Sequence, residues 1–182
     1  EFWRIYTYIN DVVTLQAVEK PEDFYNAGLA FGHFQKQMAD FPADTLIDSI
    51  PNFHNTASRY YDFEKAVKLD PIGRVAKVQD EINFIRERNL ETHIIVDSLI
   101  SEAIPLRVTH NDTKLNNVLL DPDTYEGVCV IDLDTVMPSF VFSDFGDFLR
   151  TAANTVAEDS PEIGKVAFRM DIFESFAKGY LE

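Results

Sequence analysis

Thr109-His110-Asn111-Asp112-Thr113-Lys114-Leu115-Asn116-Asn117 leads into two short apolar runs, Val118-Leu119-Leu120 and Val128-Cys129-Val130-Ile131, and the second run ends in Asp132-Leu133-Asp134. Between them lies Asp121-Pro122-Asp123-Thr124-Tyr125-Glu126-Gly127. Pro, Asp and Gly between β-rich runs are what a hairpin loop requires. The polar residues gather at the open end of this predicted hairpin, with His110, Asp112, Lys114 and Asn117 on the way in and Asp132 and Asp134 on the way out. An antiparallel pair returns to its starting point, so these groups become neighbours in space although about 15 residues apart in sequence.

Carboxylate and amide oxygens suit Mg²⁺, a hard cation that takes one or two protein carboxylates and fills its other positions with water and phosphate oxygens. A carboxylate not bound to metal can orient an attacking hydroxyl and accept its proton. A nearby lysine can neutralise charge on a transferring phosphoryl group.

Working outward, Phe24, Ala27, Phe31, Phe34 and Met38 recur at three- and four-residue intervals between Pro21 and Pro42, one face of a helix. Pro42 to Thr56 reads as a loop. Tyr60, Phe63 and Val67 mark a second helix, Val75, Val78, Ile82 and Ile85 a third, and Ile95, Leu99 and Ile100 a shorter fourth. Another helix begins near Ser143-Asp144, and Phe173, Phe176, Ala177 and Tyr180 follow a helical spacing at the end. The expected fold class is α+β and mainly helical. The chain opens on Glu1 inside the alternating run Phe2 to Ile9, which reads as a strand without neighbours, and stops at Leu181-Glu182 without a cap signal. A fragment truncated at both ends is the expectation.

Composition narrows the partners. Of 182 residues, 31 are acidic and 16 basic, a formal net charge of −15, so the average field repels phosphate backbones and anionic lipid. Nucleic acid and membrane surfaces are therefore not expected as partners. No apolar run approaches the roughly 18 residues of a membrane span, and no signal-peptide pattern opens the chain. The single cysteine, Cys129, is expected to be a buried, inert thiol. These features suit a cytoplasmic protein.

His110-x-Asp112-x-x-x-x-Asn117, followed across a hairpin by Asp132, resembles the catalytic loop and metal-binding Asp of protein-kinase-like phosphotransferases. More closely, His110 to Asp121 and Val130-Ile131-Asp132-Leu133-Asp134-Thr135 resemble the aminoglycoside phosphotransferase and choline kinase superfamily. Within it, Ile50-Pro51-Asn52-Phe53-His54-Asn55-Thr56, Leu106 to Lys114 and Ser143-Asp144-Phe145-Gly146-Asp147 are most similar to the branch that phosphorylates N-acetylhexosamines at the anomeric hydroxyl.

The resemblance implies a kinase-like C-terminal lobe over residues 11–182, with residues 1–10 as the last N-lobe strand and hinge, where Tyr8 and Ile9 meet adenine. It implies ATP as co-substrate, Mg²⁺ as cofactor and an amino sugar as acceptor. The rest of the N-lobe would belong to the same polypeptide, and the 182-residue chain alone is expected to lack useful activity. Asp112 is then the catalytic base, and Lys114 matches a lysine placed near the γ-phosphate. Asn117 and Asp132 hold Mg²⁺, and Asp134 supports a second metal or binds sugar. His110 braces the loop. Asp144-Phe145-Gly146 spells the protein-kinase metal triplet but lies past the hairpin, so Asp132 takes the metal role and Asp144 resembles an Asp that supports the catalytic loop from below. Its plainer reading is a surface acid favoured by the helix dipole. His54, Asn55, Thr56, Arg107 and Arg150 are the substrate candidates. For the first three the alternative is a turn held by its own hydrogen bonds, and for Arg107 and Arg150 a simple ion pair with surplus acid.

Other readings compete. Asp132-Leu133-Asp134 partly fits the entry motif of haloacid-dehalogenase-type phosphatases, but only about 50 residues follow where that fold needs a large α/β core. A kinase acting on an aminoglycoside, choline, homoserine or another small alcohol is the nearer alternative. A non-catalytic, pseudokinase-like binding module is the alternative from another class, opposed by the joint presence of Asp112, Asn117 and Asp132.

Overall fold

The computed structural model describes residues 3–15, 20–156 and 160–182. They divide into two compact units, one comprising the described residues of Glu1–Ile47 and Arg107–Glu182, the other Asp48–Leu106. The division falls inside the stretch 11–182 that the sequence suggests as one lobe.

The first unit is organised by two helices, α1 (Pro21–Gln37) and α6 (Met170–Tyr180). Pro21 opens α1, where its missing N–H and fixed φ cost nothing. Phe24, Ala27 and Phe31 of the predicted stripe are buried, while Phe34 is half-buried and Met38 caps the helix end. Both helices carry glycine where they meet. A Cβ on Gly28 would stand 2.4 Å from the Phe176 carbonyl oxygen, and one on Gly179 would stand 2.2 Å from that of Tyr25. Below this contact, Phe148 of α5 (Val141–Ala152) stacks on Phe176 with ring centroids 3.6 Å apart. Leu115, Val118, Leu120, Ala153 and Ile172 complete the core.

Two small antiparallel ladders complete the unit. β1 (Arg107–Thr109) pairs with β4 (Met137–Ser139), in register Arg107↔Ser139 and Thr109↔Met137. β2 (Val118–Leu120) pairs with β3 (Gly127–Val130) as Val118↔Val130 and Leu119↔Cys129, with a register shift before Leu120. This is the predicted hairpin. Its loop is closed by Asp121, whose Oδ1 accepts the N–H groups of Asp123 and Thr124, both at 2.9 Å. Val13 adds a bridge to Leu120 through two backbone hydrogen bonds of 2.9 Å.

The second unit contains α2 (Thr56–Leu69), α3 (Gln79–Glu87) and α4 (Glu91–Ile100). Asn55 caps α2 by accepting the Ser58 N–H, and Asp70 ends it in a left-handed conformation. Arg86 of α3 grips Glu64 of α2 through Nε at 2.7 Å and a terminal nitrogen at 2.8 Å, and this guanidinium holds the Glu64 carboxyl below its ordinary range.

Three expectations need correction. No strand forms over the described part of Phe2 to Ile9: residues 3–10 have no pairing partner among the described residues, Ile5 is 96% exposed, and strand pairing starts only at Val13. Alternation provides a face, while a strand also needs an edge to join. The third helix is shorter than its apolar spacing, because Val75–Lys77 is a separate 3₁₀ turn and Val78, at φ −129°, interrupts before α3. Cys129 is half-buried instead of buried, since it pairs with Leu119, off the face that takes Val118 and Leu120 into the core. Among the described residues no helix is long and apolar enough to cross a membrane.

Candidate active site

The loop from Thr109 to Asn117 lies between the two ladders. It is held from beneath by a buried carboxylate. Asp144, in the first turn of α5, is fully buried, which sets aside the surface-acid reading. Its Oδ1 accepts the Asn111 N–H at 2.7 Å, and its Oδ2 accepts the His110 N–H at 2.9 Å and Gln35 Nε2 at 2.7 Å. Burial pushes this carboxyl up, and the N–H donors pull the other way. The Thr113 hydroxyl donates to the Asp144 carbonyl at 2.6 Å, while Asp147, one turn further along α5, accepts the Thr113 N–H at 3.0 Å. One face of α5 thus fixes the backbone on both sides of Asp112.

His110, fully buried, spans the loop and the hairpin exit. Its Nε2 lies 2.8 Å from the Ile131 carbonyl, and its Nδ1 receives the Asp112 N–H at 3.3 Å. Since a backbone N–H only donates, Nδ1 is the acceptor and Nε2 carries the proton. Phe31 and Phe34 pack edge-on to the ring, with centroids 5.6 and 5.8 Å away.

At the mouth of the loop, the Asp112 carboxylate meets Lys114 Nζ at 2.8 Å through Oδ1 and Asn117 Nδ2 at 3.2 Å through Oδ2. The Asp112 hydrogen bond raises the Lys114 pKa above its ordinary value, so the ammonium form is favoured. Asn117 Nδ2 also donates to the Asp112 carbonyl at 2.8 Å. Both amide hydrogens are therefore turned inward, leaving Oδ1 as the atom with affinity for a cation. The Asn117 carbonyl accepts the Ile131 N–H at 2.9 Å, setting Asn117 beside the residue before Asp132. Asp132 is exposed, in a left-handed conformation at φ 61°.

The other predicted residues are placed as follows. Asp134 forms an exposed ion pair with Arg4. Arg107 reaches the Gln35 carbonyl at 3.3 Å, at the C-terminal turn of α1. Arg150 pairs with Asp147 at 2.9 Å. Tyr8 is exposed and Ile9 half-buried in the irregular N-terminal stretch. His54, Asn55 and Thr56 belong to the second unit. There His54 packs on Phe53, Asn55 caps α2 and the Thr56 hydroxyl donates to the Thr92 carbonyl. Among the described residues no three His, Cys, Asp or Glu side chains gather as a metal cluster.

Sequence reasoning alone misses Gln35, Asn111, Thr113, Thr135 and Asp147. Gln35 offered a signal: it sits four residues after Phe31, a polar side chain on an otherwise apolar stripe. Asp147 shares a helix face with Asp144 three residues earlier.

The mainly helical α+β fold, with a His-x-Asp loop braced from a following helix, is kinase-like. Residues 1–178 match the family model APH, described as the phosphotransferase enzyme family. The chain belongs to this family, within the protein-kinase-like superfamily. Kinases of the family use ATP and Mg²⁺ to phosphorylate small-molecule acceptors.

Proposed function

We propose that the protein transfers the γ-phosphoryl group of ATP to the anomeric hydroxyl of an N-acetylhexosamine, giving the sugar 1-phosphate. The observation that carries the phosphoryl-transfer reading is the mouth of the loop. One carboxylate, Asp112, is oriented by Lys114 and Asn117, and Asn117 is tied by its backbone to the residue preceding Asp132. In this reading Asp112 receives the acceptor hydroxyl at a carboxylate oxygen and takes its proton as the new P–O bond forms and the bond from the γ-phosphorus to the bridging oxygen breaks, releasing ADP. Lys114, kept cationic by Asp112, faces the charge on the transferring group. His110 keeps the loop in register through its two ring nitrogens.

The donor set suits Mg²⁺: an amide oxygen at Asn117 and an exposed carboxylate at Asp132 match a hard cation that takes few protein ligands. When bound, Mg²⁺ neutralises charge on the nucleotide phosphates. Asp134, whose Oδ1 is engaged by Arg4, supports a second metal or binds sugar in this reading. Residues 1–10 are the proposed last N-lobe segment and hinge, with Tyr8 and Ile9 toward adenine, and residues 11–182 the proposed catalytic lobe. The N-acetylhexosamine is supported by the resemblance in residues 50–56, 106–114 and 143–147. Sugar contacts from residues 54–56 would have to coexist with the cap made by Asn55 and the Thr56 bond to Thr92.

The test is ADP release from Mg²⁺-ATP by the natural full-length protein across N-acetylhexosamines, simple hexoses, choline and an aminoglycoside. Turnover confined to N-acetylhexosamines, and lowered about 10²- to 10⁴-fold in Asp112→Asn, supports both reaction and acceptor. Turnover on another acceptor discards the sugar, and unchanged turnover in Asp112→Asn discards the base.

A further inference from the structure

Asn111 stands immediately before Asp112 in the left-handed region, at φ 66°. Glycine meets that requirement without steric cost, and asparagine is tolerated there. The Asn111 side chain is 2% exposed and fully employed. Its Nδ2 donates to the Thr135 carbonyl at 2.9 Å and to its near neighbour, the Thr109 carbonyl, at 3.2 Å, while its Oδ1 accepts the Thr109 hydroxyl at 2.9 Å. Thr135 answers in the opposite direction, its Oγ1 donating to the His110 carbonyl at 2.7 Å. Residues 110–111 and 135 are thus tied by two reciprocal bonds, one donated from each side. The latch is continuous with the β1/β4 ladder, because the single Thr109 hydroxyl proton is shared between Asn111 Oδ1 and the Met137 carbonyl, at 2.9 and 3.1 Å.

This latch joins the two halves of the site. Asp112 follows Asn111 directly, and Thr135 closes the single turn that begins at Asp132. We propose that Asn111 is a positioning residue that holds the turn carrying Asp132 at a fixed separation from Asp112, by clamping Thr135. This rests on the phosphoryl-transfer reading above and adds to it the residue that sets base against metal-binding position. A glycine would satisfy the backbone and leave the turn tied only by the Thr135 hydroxyl bond to the His110 carbonyl, so the φ angle alone does not account for an amide at this position.

Asn111→Gly separates the two roles. It keeps the left-handed backbone and the N–H donated to Asp144, and it removes the three side-chain bonds. Phosphoryl transfer from Mg²⁺-ATP to the acceptor or to water is measured in the full-length protein for Asn111→Gly, Thr135→Ala, Thr135→Ser and the double variant Asn111→Gly/Thr135→Ala. Asp112→Asn serves as control, and circular dichroism checks each fold. A misplacement near 1 Å lowers kcat by about 10²-fold, so losses of about 10- to 100-fold in kcat, with KM for ATP within about threefold, are expected for Asn111→Gly. Thr135→Ser retains the hydroxyl and should rescue the Thr135→Ala loss. The double variant should be little worse than the poorer single variant, because both break one latch. Wild-type kcat in folded Asn111→Gly, while Asp112→Asn is impaired, overturns the latch and leaves the kinase reading standing. Additive losses, or a change confined to KM, also overturn it. Unchanged transfer in Asp112→Asn discards Asp112 as the base, and the latch with it, whereas no transfer by the folded wild type overturns the kinase reading.

Discussion

Asp144→Ala is the substitution whose magnitude best separates a structural brace from an incidental helix-start acid. Truncation leaves three donors without a partner in a buried site: the backbone N–H groups of His110 and Asn111, and Gln35 Nε2. An orphaned buried donor costs about 1–3 kcal/mol. Three such donors would together cost about 3–9 kcal/mol, and since removing the buried carboxylate recovers part of its desolvation penalty, the lower part of that range, about 3–5 kcal/mol, is expected. An exposed acid at a helix N-terminus would contribute only about 0.3–1 kcal/mol. In equilibrium urea unfolding followed by circular dichroism, with a slope near 2 kcal/mol per M, the midpoint should fall by about 1.5–2.5 M. Asp144→Asn retains one acceptor oxygen and turns an NH₂ toward a donor, so it should lie between wild type and Asp144→Ala. A midpoint for Asp144→Ala within about 0.5 M of wild type would refute the brace, since only the helix-start contribution is then left to lose.

Two further outcomes concern α6. Gly179→Ala places a methyl carbon 2.2 Å from the Tyr25 carbonyl oxygen and 2.9 Å from the Leu29 N, both of them backbone atoms that cannot swing aside. Thermal unfolding should report a loss of about 1–3 kcal/mol, and an unchanged Tm would contradict the close approach of α1 and α6. The Arg169 guanidinium beside Asp171, at the start of α6, holds the Asp171 carboxyl down at about 2. A depressed folded-state value stabilises the fold at pH values above the unfolded carboxylate's, near 3.9, and that contribution is lost as pH falls from about 4 through about 2. Hydrogen-exchange protection at the α6 N-terminus, taken relative to the intrinsic exchange rate at each pH, should fall over that window in wild type and show a weaker pH dependence in Asp171→Asn. Equal dependence in both would remove Asp171 as the cause.

The parts legible in the sequence are those specified by local chemistry. Asp121 and Gly127 bound a stretch with the composition of a hairpin loop, and β2 and β3 pair across it, while their register, shifted between Leu119 and Leu120, is not encoded in that composition. The apolar stripe of α1 emerges from spacing alone. The beginning of α3 does not, because the break at Val78 lies within an apolar pattern that continues through it. Least legible is the support of the loop. Gln35 meets Asp144 across 109 positions and Asp147 meets Thr113 across 34, and no local period encodes either pairing. An alternating run such as Trp3 to Ile9 errs in the other direction: its pattern is that of a strand, while pairing depends on an edge that the pattern does not specify.

The ladders flanking the loop have strands of three or four residues, too short to be stable as isolated hairpins. What holds the loop is instead a buried polar network comprising Thr109, His110, Asn111, Thr113, Gln35 and Asp144. Such a network yields less net stability than apolar packing of the same volume, and its value lies in selecting one backbone conformation, since each alternative leaves a donor or acceptor unpaired at low dielectric. The main apolar contact of this unit lies elsewhere, in the Phe148 and Phe176 stack and the glycine contact of α1 with α6. Folding energy and loop geometry are therefore carried by different residues. Substitutions in the aromatic core should act chiefly on stability, whereas Asn111→Gly, which spares the core and the Asp144 bonds, should act on turnover while the fold persists.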